Sequence, residues 1–219
     1  MFLETARLSD IHVRFIHLGL VAHLGHRWSI TDLLEIGDAL LAVPWGVLML
    51  DPARADVAEA LAQLQSRLGH SLLIGVGPTQ TVAESATMLA AGAHFILTRD
   101  FDPALLHQCQ RRGILCLPEL LDATTAQAIY AAGCALAWLD TDQFPSGQVL
   151  TLTRQLASTF DLALLGPITS TTLADYARAG AAVVVVDGTA LIGATWSMPA
   201  FITKARQVRK VWESAMCSQ

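Results

Sequence analysis

The sequence predicts an α/β fold, a (β/α)₈ barrel, and three observations carry that prediction. Helix-period segments end on a small or polar residue followed by glycine, and an apolar run follows at once. The unit recurs roughly every 20 residues, the length of one strand plus one helix with short loops, at Ala91-Gly92, Arg112-Gly113 and Ala132-Gly133, with Ala179-Gly180 two periods further on. The apolar runs are continuous rather than alternating, as strands buried on both faces of a parallel sheet are. An open doubly wound sheet is the second architecture compatible with this rhythm.

In chain order, strands are expected at residues 20–24, 45–50, 72–75, 94–97, 114–117, 135–139, 161–165 and 183–186. Helices between them have recognisable starts. Ser29 or Thr31 precedes a Leu-rich face, Asp51-Pro52 and Asp102-Pro103 read as N-cap plus proline, and Ser170 or Thr171 precedes Leu173. Each recurrent glycine suits the left-handed position that ends a helix. A helical pattern over about 148–159 leads into the seventh strand, and a last helix is expected over about 197–215. Residues 1–219 read as one domain, its first 15 residues forming a short helix or a cap.

Composition narrows the function classes. Of 219 residues, 53% are hydrophobic and 15% charged, and 14 Lys+Arg against 19 Asp+Glu leave a formal charge of -5. A disordered chain or a nucleic-acid binder would show the opposite balance. The longest apolar tracts, 40–50 and 181–186, fall short of the ~20 residues of a membrane helix, and the N-terminus lacks the basic start of a secretory signal. Cys109, Cys116, Cys134 and Cys217 form no Cys-x-x-Cys pair, which favours reduced thiols and a cytoplasmic protein.

A barrel does its chemistry at the C-terminal ends of its strands. The residues there are His23 and His26, Asp51 and Arg54, Gly75 to Thr79, Thr98-Arg99-Asp100, Glu119 and Asp122, Asp140 and Asp142, Gly166 to Thr169, and Asp187-Gly188-Thr189. Asp51, Asp102 and Asp122 read as helix caps. His23, His26 and Asp140 are the candidates for new chemistry, with a divalent metal the weaker variant of that idea; no metal or cofactor is expected. Gly166, Gly188 and Thr189 suit a phosphate cradle at strands 7 and 8, although Pro167 donates no N–H and Asp187 repels an anion. Gly75 and Gly77 are a further ligand-approach pair, too short for a dinucleotide fingerprint. The chain's two lysines, Lys204 and Lys210, both fall on the last helix. No strand therefore supplies the amine a Schiff-base aldolase requires.

Several stretches carry a family resemblance: Ile74-Gly-Val-Gly77, residues 90–96 with Asp102-Pro-Ala-Leu-Leu106, residues 113–118, residues 168–176, and Gly188-Thr189 followed by Ile202-Thr-Lys204. In these the chain resembles the 2-keto-3-deoxy-6-phosphogluconate (KDPG) and 4-hydroxy-2-oxoglutarate aldolases, trimeric (β/α)₈ lyases of carbohydrate metabolism that cleave a phosphorylated keto sugar acid. The resemblance puts the family's Schiff-base lysine at Trp138 and its acid/base glutamate at Met49, with Arg54 one residue off the carboxylate-binding arginine. It implies a divergent member, a pseudoenzyme that binds a small neutral or cationic molecule or serves in assembly, as a homo-oligomer and by family a trimer. Nucleic acid and membrane are not expected partners. The alternatives are a lyase-like enzyme with altered, metal-assisted chemistry at the same mouth, a KDPG-type aldolase in its own right, or another phosphate-binding barrel family.

Overall fold

In the computed structural model, which describes residues 2–192 and 196–217, strands and helices alternate from end to end. After α1 (Phe2–Leu18) come β1 (Leu20–Leu24), α2 (Ile30–Leu41), β2 (Val47–Leu50), α3 (Val57–Leu68), β3 (Leu73–Thr79), α4 (Val82–Ala90), β4 (Phe95–Thr98) and α5 (Pro103–Arg112). Then follow β5 (Leu115–Pro118), α6 (Ala123–Ala131), β6 (Leu136–Asp140), a 3₁₀ turn (Thr141–Gln143), α7 (Ser146–Leu156) and β7 (Asp161–Leu165). The series ends with α8 (Ser170–Arg178), β8 (Val183–Asp187), α9 (Gly188–Ile192) and α10 (Met198–Met216).

The strands are parallel and neighbour one another in sequence order around the sheet, with β1 joined to β8. Its two ends, β5 and β6, meet at a Glu119–Trp138 bridge, where the Leu120 amide donates to the Trp138 carbonyl at 2.8 Å. The ring thus closes, and there is no reversal of strand order of the kind a doubly wound sheet has at its binding crevice. Alternation along the strands separates two cores. Val21, Val47, Met49, Leu73, Phe95, Leu97, Leu117, Trp138, Ala163 and Val185 fill the barrel; their neighbours in sequence, such as Leu20, Leu48, Ile96 and Leu164, pack outward beneath the helices.

The N-terminal segment is both helix and cap. Ile11 and Phe15 of α1 join the barrel core at its lower end, where the Phe15 ring lies 5.0 Å from that of Phe95. His12 Nε2 meets Asp161 Oδ2 at 2.9 Å, fixing the helix to the start of β7.

Predicted starts mostly coincide with observed ones. Ser29 makes a reciprocal capping box with Asp32, and Asp102 and Asp122 accept backbone N–H bonds from Ala104 and Thr125. Two starts differ. Asp51 closes a turn by accepting from the Ala53 amide, and α3 begins only at Val57, after Asp56. The cap of α8 is Thr169 rather than Ser170 or Thr171, because its hydroxyl reaches the Thr172 amide while Thr172 reaches back.

Candidate functional site

The floor of the mouth is apolar. Met49 on β2 and Trp138 on β6 point into the barrel and have no exposed surface. The Trp138 indole N–H donates to the Thr98 carbonyl at 3.1 Å, so the ring is fixed by a hydrogen bond as well as by packing. Both lysines lie outside the ring. Lys204 is exposed on α10 and lines a cavity of about 250 Å³ with Thr169, Ser170 and Leu191; Lys210 lies in a groove between α8 and α10.

Above this floor the ends of β4, β5 and β6 bring together a charged cluster. Arg99 Nη1 donates to Glu119 Oε1 and to Asp140 Oδ2, both at 2.9 Å, and Gln143 Nε2 also donates to Glu119 Oε1 at 2.9 Å. The guanidinium carbon sits 5.0 Å from the centre of the Trp138 ring, within cation–π range. The Glu119 side chain is 2% exposed, and this burial pushes its carboxyl upward despite the opposing charge and hydrogen bond of Arg99. Burial alone would weaken the Arg99 charge, but hydrogen bonds and charge from Asp140 and Glu119 outweigh it and hold the guanidinium ionised. Arg99 and Glu119 stand in the sequence as ordinary strand-end residues; the signal that could have singled them out is a polar residue at the same inward position of three successive strands.

A second polar group lies toward β1, β2 and β8. His23 is in register with Met49 on one side and Asp187 on the other. Its Nε2 is buried and has no hydrogen-bond partner among the described residues. Burial pulls the imidazole below its ordinary value, against the raising effect of the Asp51 and Asp187 charges, so the ring is held neutral. His26 is exposed beyond the strand end, and Asp140 is committed to Arg99 in the other cluster. Among the described residues no group of three His, Cys, Asp or Glu could hold a metal ion. Arg54 is 4% exposed and donates to the Trp28 carbonyl while pairing with Asp56, so its guanidinium staples the loop after β1.

The glycines have packing roles. A Cβ on Gly75 or Gly77 would come within 2.5 Å of Phe95 or Leu97, side chains that fill the barrel where these glycines leave room. One on Gly166, at φ +152°, would strike the Thr141 hydroxyl at 1.9 Å, and one on Gly188 would strike Leu24 at 2.3 Å. The Thr189 amide, a candidate phosphate donor, already donates to Asp187 Oδ1 at 2.8 Å.

No protein-family model matches the chain. A stretch of 79 residues is 28% identical to the 2-dehydro-3-deoxy-phosphogluconate aldolase of Treponema pallidum (strain Nichols), covering 36% of this chain and 37% of that one. The match therefore spans little more than a third of that relative's length. The 4-hydroxy-2-oxoglutarate/2-dehydro-3-deoxyphosphogluconate aldolase from TTHB1 superposes with a TM-score of 0.78 at 23% identity, over 93% of this chain and 98% of that one. A cube-shaped protein cage designed by fusing symmetric oligomeric domains matches with a TM-score of 0.76 at 19% identity, over 91% of this chain and 74% of that one. At these identities the likeness is one of architecture: the chain resembles the KDPG aldolases and has the (β/α)₈ barrel that they have.

Proposed function

We propose that this aldolase-like barrel binds a small molecule at its mouth and carries out no imine chemistry. The observation that supports this reading is Trp138, a fully buried indole at the place the family resemblance assigns to a lysine, with both lysines of the chain on the outer helix α10. An imine needs an unprotonated primary amine beside the substrate carbonyl, and no other side chain offers one. Met49, at the position of the acid/base glutamate, has no proton to exchange. The mouth carries Asp51, Asp140, Asp187 and Glu119 against Arg99, while Arg54 is paired with Asp56, and the Thr189 amide is taken by Asp187. Such a rim favours a small neutral or cationic ligand over an acidic sugar phosphate. The same reading makes the protein a cytoplasmic homo-oligomer, a trimer as in the family, with its four free thiols reduced.

The test is borohydride reduction in the presence of pyruvate, followed by mass spectrometry of the intact chain, alongside a cleavage assay with the family's phosphorylated keto acid. Unmodified protein and no aldol cleavage are expected. A pyruvyl adduct mapped to Lys204 or Lys210, or turnover of the keto acid, would overturn the reading.

A further inference from the structure

Three of the four cysteines are buried together outside the barrel wall, where the mouth makes no use of them. Cys109 lies in the last turn of α5 with no exposed surface, Cys116 on β5 is 8% exposed, and Cys134, ahead of β6, is 7% exposed. All three belong to the layer between strands and helices, whereas Cys217 is exposed. Local structure brings the first two into contact. Gly113 ends α5 in the left-handed conformation, at φ +65°, and the Ile114 amide returns to the Cys109 carbonyl at 3.0 Å. This tight turn lays the end of α5 over β5, whose alternation points Cys116 outward while Leu115 and Leu117 fill the barrel. The Cys109 and Cys116 thiols then hydrogen-bond to each other. The Cys134 thiol is engaged by main chain instead: it donates to the Leu136 carbonyl at 3.1 Å, with the Cys116 carbonyl at 3.6 Å.

We propose that Cys109 and Cys116 form a modification site, a thiol pair that a hydroperoxide converts to an intramolecular disulfide, clipping α5 to β5. Because the pair lies outside the barrel wall, this chemistry is independent of what the mouth binds. Two sulfurs already in contact are placed for a bond of about 2.05 Å. Cys116 carries the exposed surface of the pair, so its sulfur meets the oxidant first. As the thiolate it attacks one peroxide oxygen; the O–O bond breaks, the departing oxygen takes up the released proton, and Cys116 becomes a sulfenic acid. The Cys109 sulfur then attacks that sulfur, the S–O bond breaks, and the hydroxide leaves with the Cys109 proton as water. With hydrogen peroxide, two S–H bonds and one O–O bond give one S–S bond and two waters, a two-electron oxidation. The hydrogen bond with Cys109 and burial push the Cys116 thiol well above its ordinary range, so thiolate is scarce and closure is slow at neutral pH. That restraint keeps the pair reduced at rest and reserves the clip for sustained peroxide. The link fixes β5, the strand that joins β6 through a single bridge, and stabilises the fold by limiting the unfolded chain.

The test is treatment of the folded wild-type protein with hydrogen peroxide, followed by denaturation, alkylation and tryptic mapping without reduction. Arg111 and Arg112 lie between the two cysteines, whereas Cys116 and Cys134 share one tryptic peptide, so fragment ions read the pairing directly. A peptide pair joined from Cys109 to Cys116 is expected, and dithiothreitol should separate it. In Cys217→Ser, which removes the exposed thiol and any cross-link between chains, the intact mass should fall by two hydrogens, with Cys134 left as the one alkylatable cysteine. Cys109→Ser should abolish the link, and Cys134→Ser should leave it intact. Oxidised wild type should unfold at a higher urea concentration than reduced wild type. The wild-type map holds even if a variant fails to fold. Cys109 and Cys116 both still alkylatable, a link ending on Cys134, or sulfinic acid at Cys116 with no link would each overturn the proposal. An oxidised urea midpoint at or below the reduced one would overturn the stabilising role of the clip.

Discussion

His23 shows how one residue sets a pH limit on the molecule. Its Nε2 is buried without a partner, and burial pulls its pKa down although Asp51 and Asp187 pull the other way. A lowered folded value means that below the ordinary histidine range, about 6.5, the unfolded chain binds a proton that the folded chain resists. The stabilisation is present above that value and is lost as pH falls through the folded pKa. Urea denaturation should therefore show the wild type losing stability between pH 7 and pH 5, and His23→Gln losing less over the same interval. An identical pH profile in the two proteins would show that the imidazole is as well solvated folded as unfolded. Arg99 and Glu119 work differently: each stabilises a charge or a proton on the other, so their effects are coupled and neither is read from a single substitution.

Among the elements, α1 carries the sharpest expectation. A barrel of eight strands has two ends, and the lower one is closed here by Ile11 and Phe15 inserted beneath Phe95. Phe15 is 1% exposed, so Phe15→Ala should cost about 3–5 kcal/mol, the range for a buried aromatic removed from a core that collapses only partly. Chemical denaturation would measure the loss, and a value under about 1 kcal/mol would mean that α1 covers the barrel without supporting it.

The strands were legible in sequence because each is a continuous apolar run bounded by glycine, and β1 and β7 occupy the expected residues. Other ends run further, since ladder pairing needs only a backbone and continues through polar residues: β4 reaches Thr98, β6 Asp140 and β8 Asp187. β3 extends to Thr79 through a Gly-Val-Gly-Pro stretch that reads locally as a turn. The role of α1 was not legible, because helix and cap differ only in what the apolar face meets. Of the mouth, the empty amine position at Trp138 could be read from residue identity alone. The bonding of Arg99 to Glu119 and Asp140 could not, because it depends on β5 meeting β6 at the ring seam and on side-chain reach.

At the scale of the whole molecule, that seam is where the fold and the site share a residue. Neighbouring strands elsewhere pair over ladders such as β1 with β8 or β6 with β7, whereas β5 and β6 join through the single Glu119–Trp138 bridge and the Leu120 amide. Trp138 therefore fills the barrel, holds the end of β4 through the Thr98 carbonyl, supports the Arg99 guanidinium and closes the ring. An indole that replaced an amine at this point would exchange catalytic capacity for cohesion, and the exchange is measurable. Trp138→Ala should lower stability by about 3–5 kcal/mol, a large share of the roughly 5–15 kcal/mol that holds a typical domain together. The loss should be uneven, because the indole packs at the seam with the fewest backbone pairs, although the Leu120–Trp138 bond itself is main-chain and survives the truncation. Native-state hydrogen exchange should speed up most at the Leu120 amide and its neighbours in β5 and β6, and least at the β1–β2 ladder on the far side of the ring. A uniform rise across all eight strands would mean that the indole contributes only volume, and that the barrel is closed by its backbone without it.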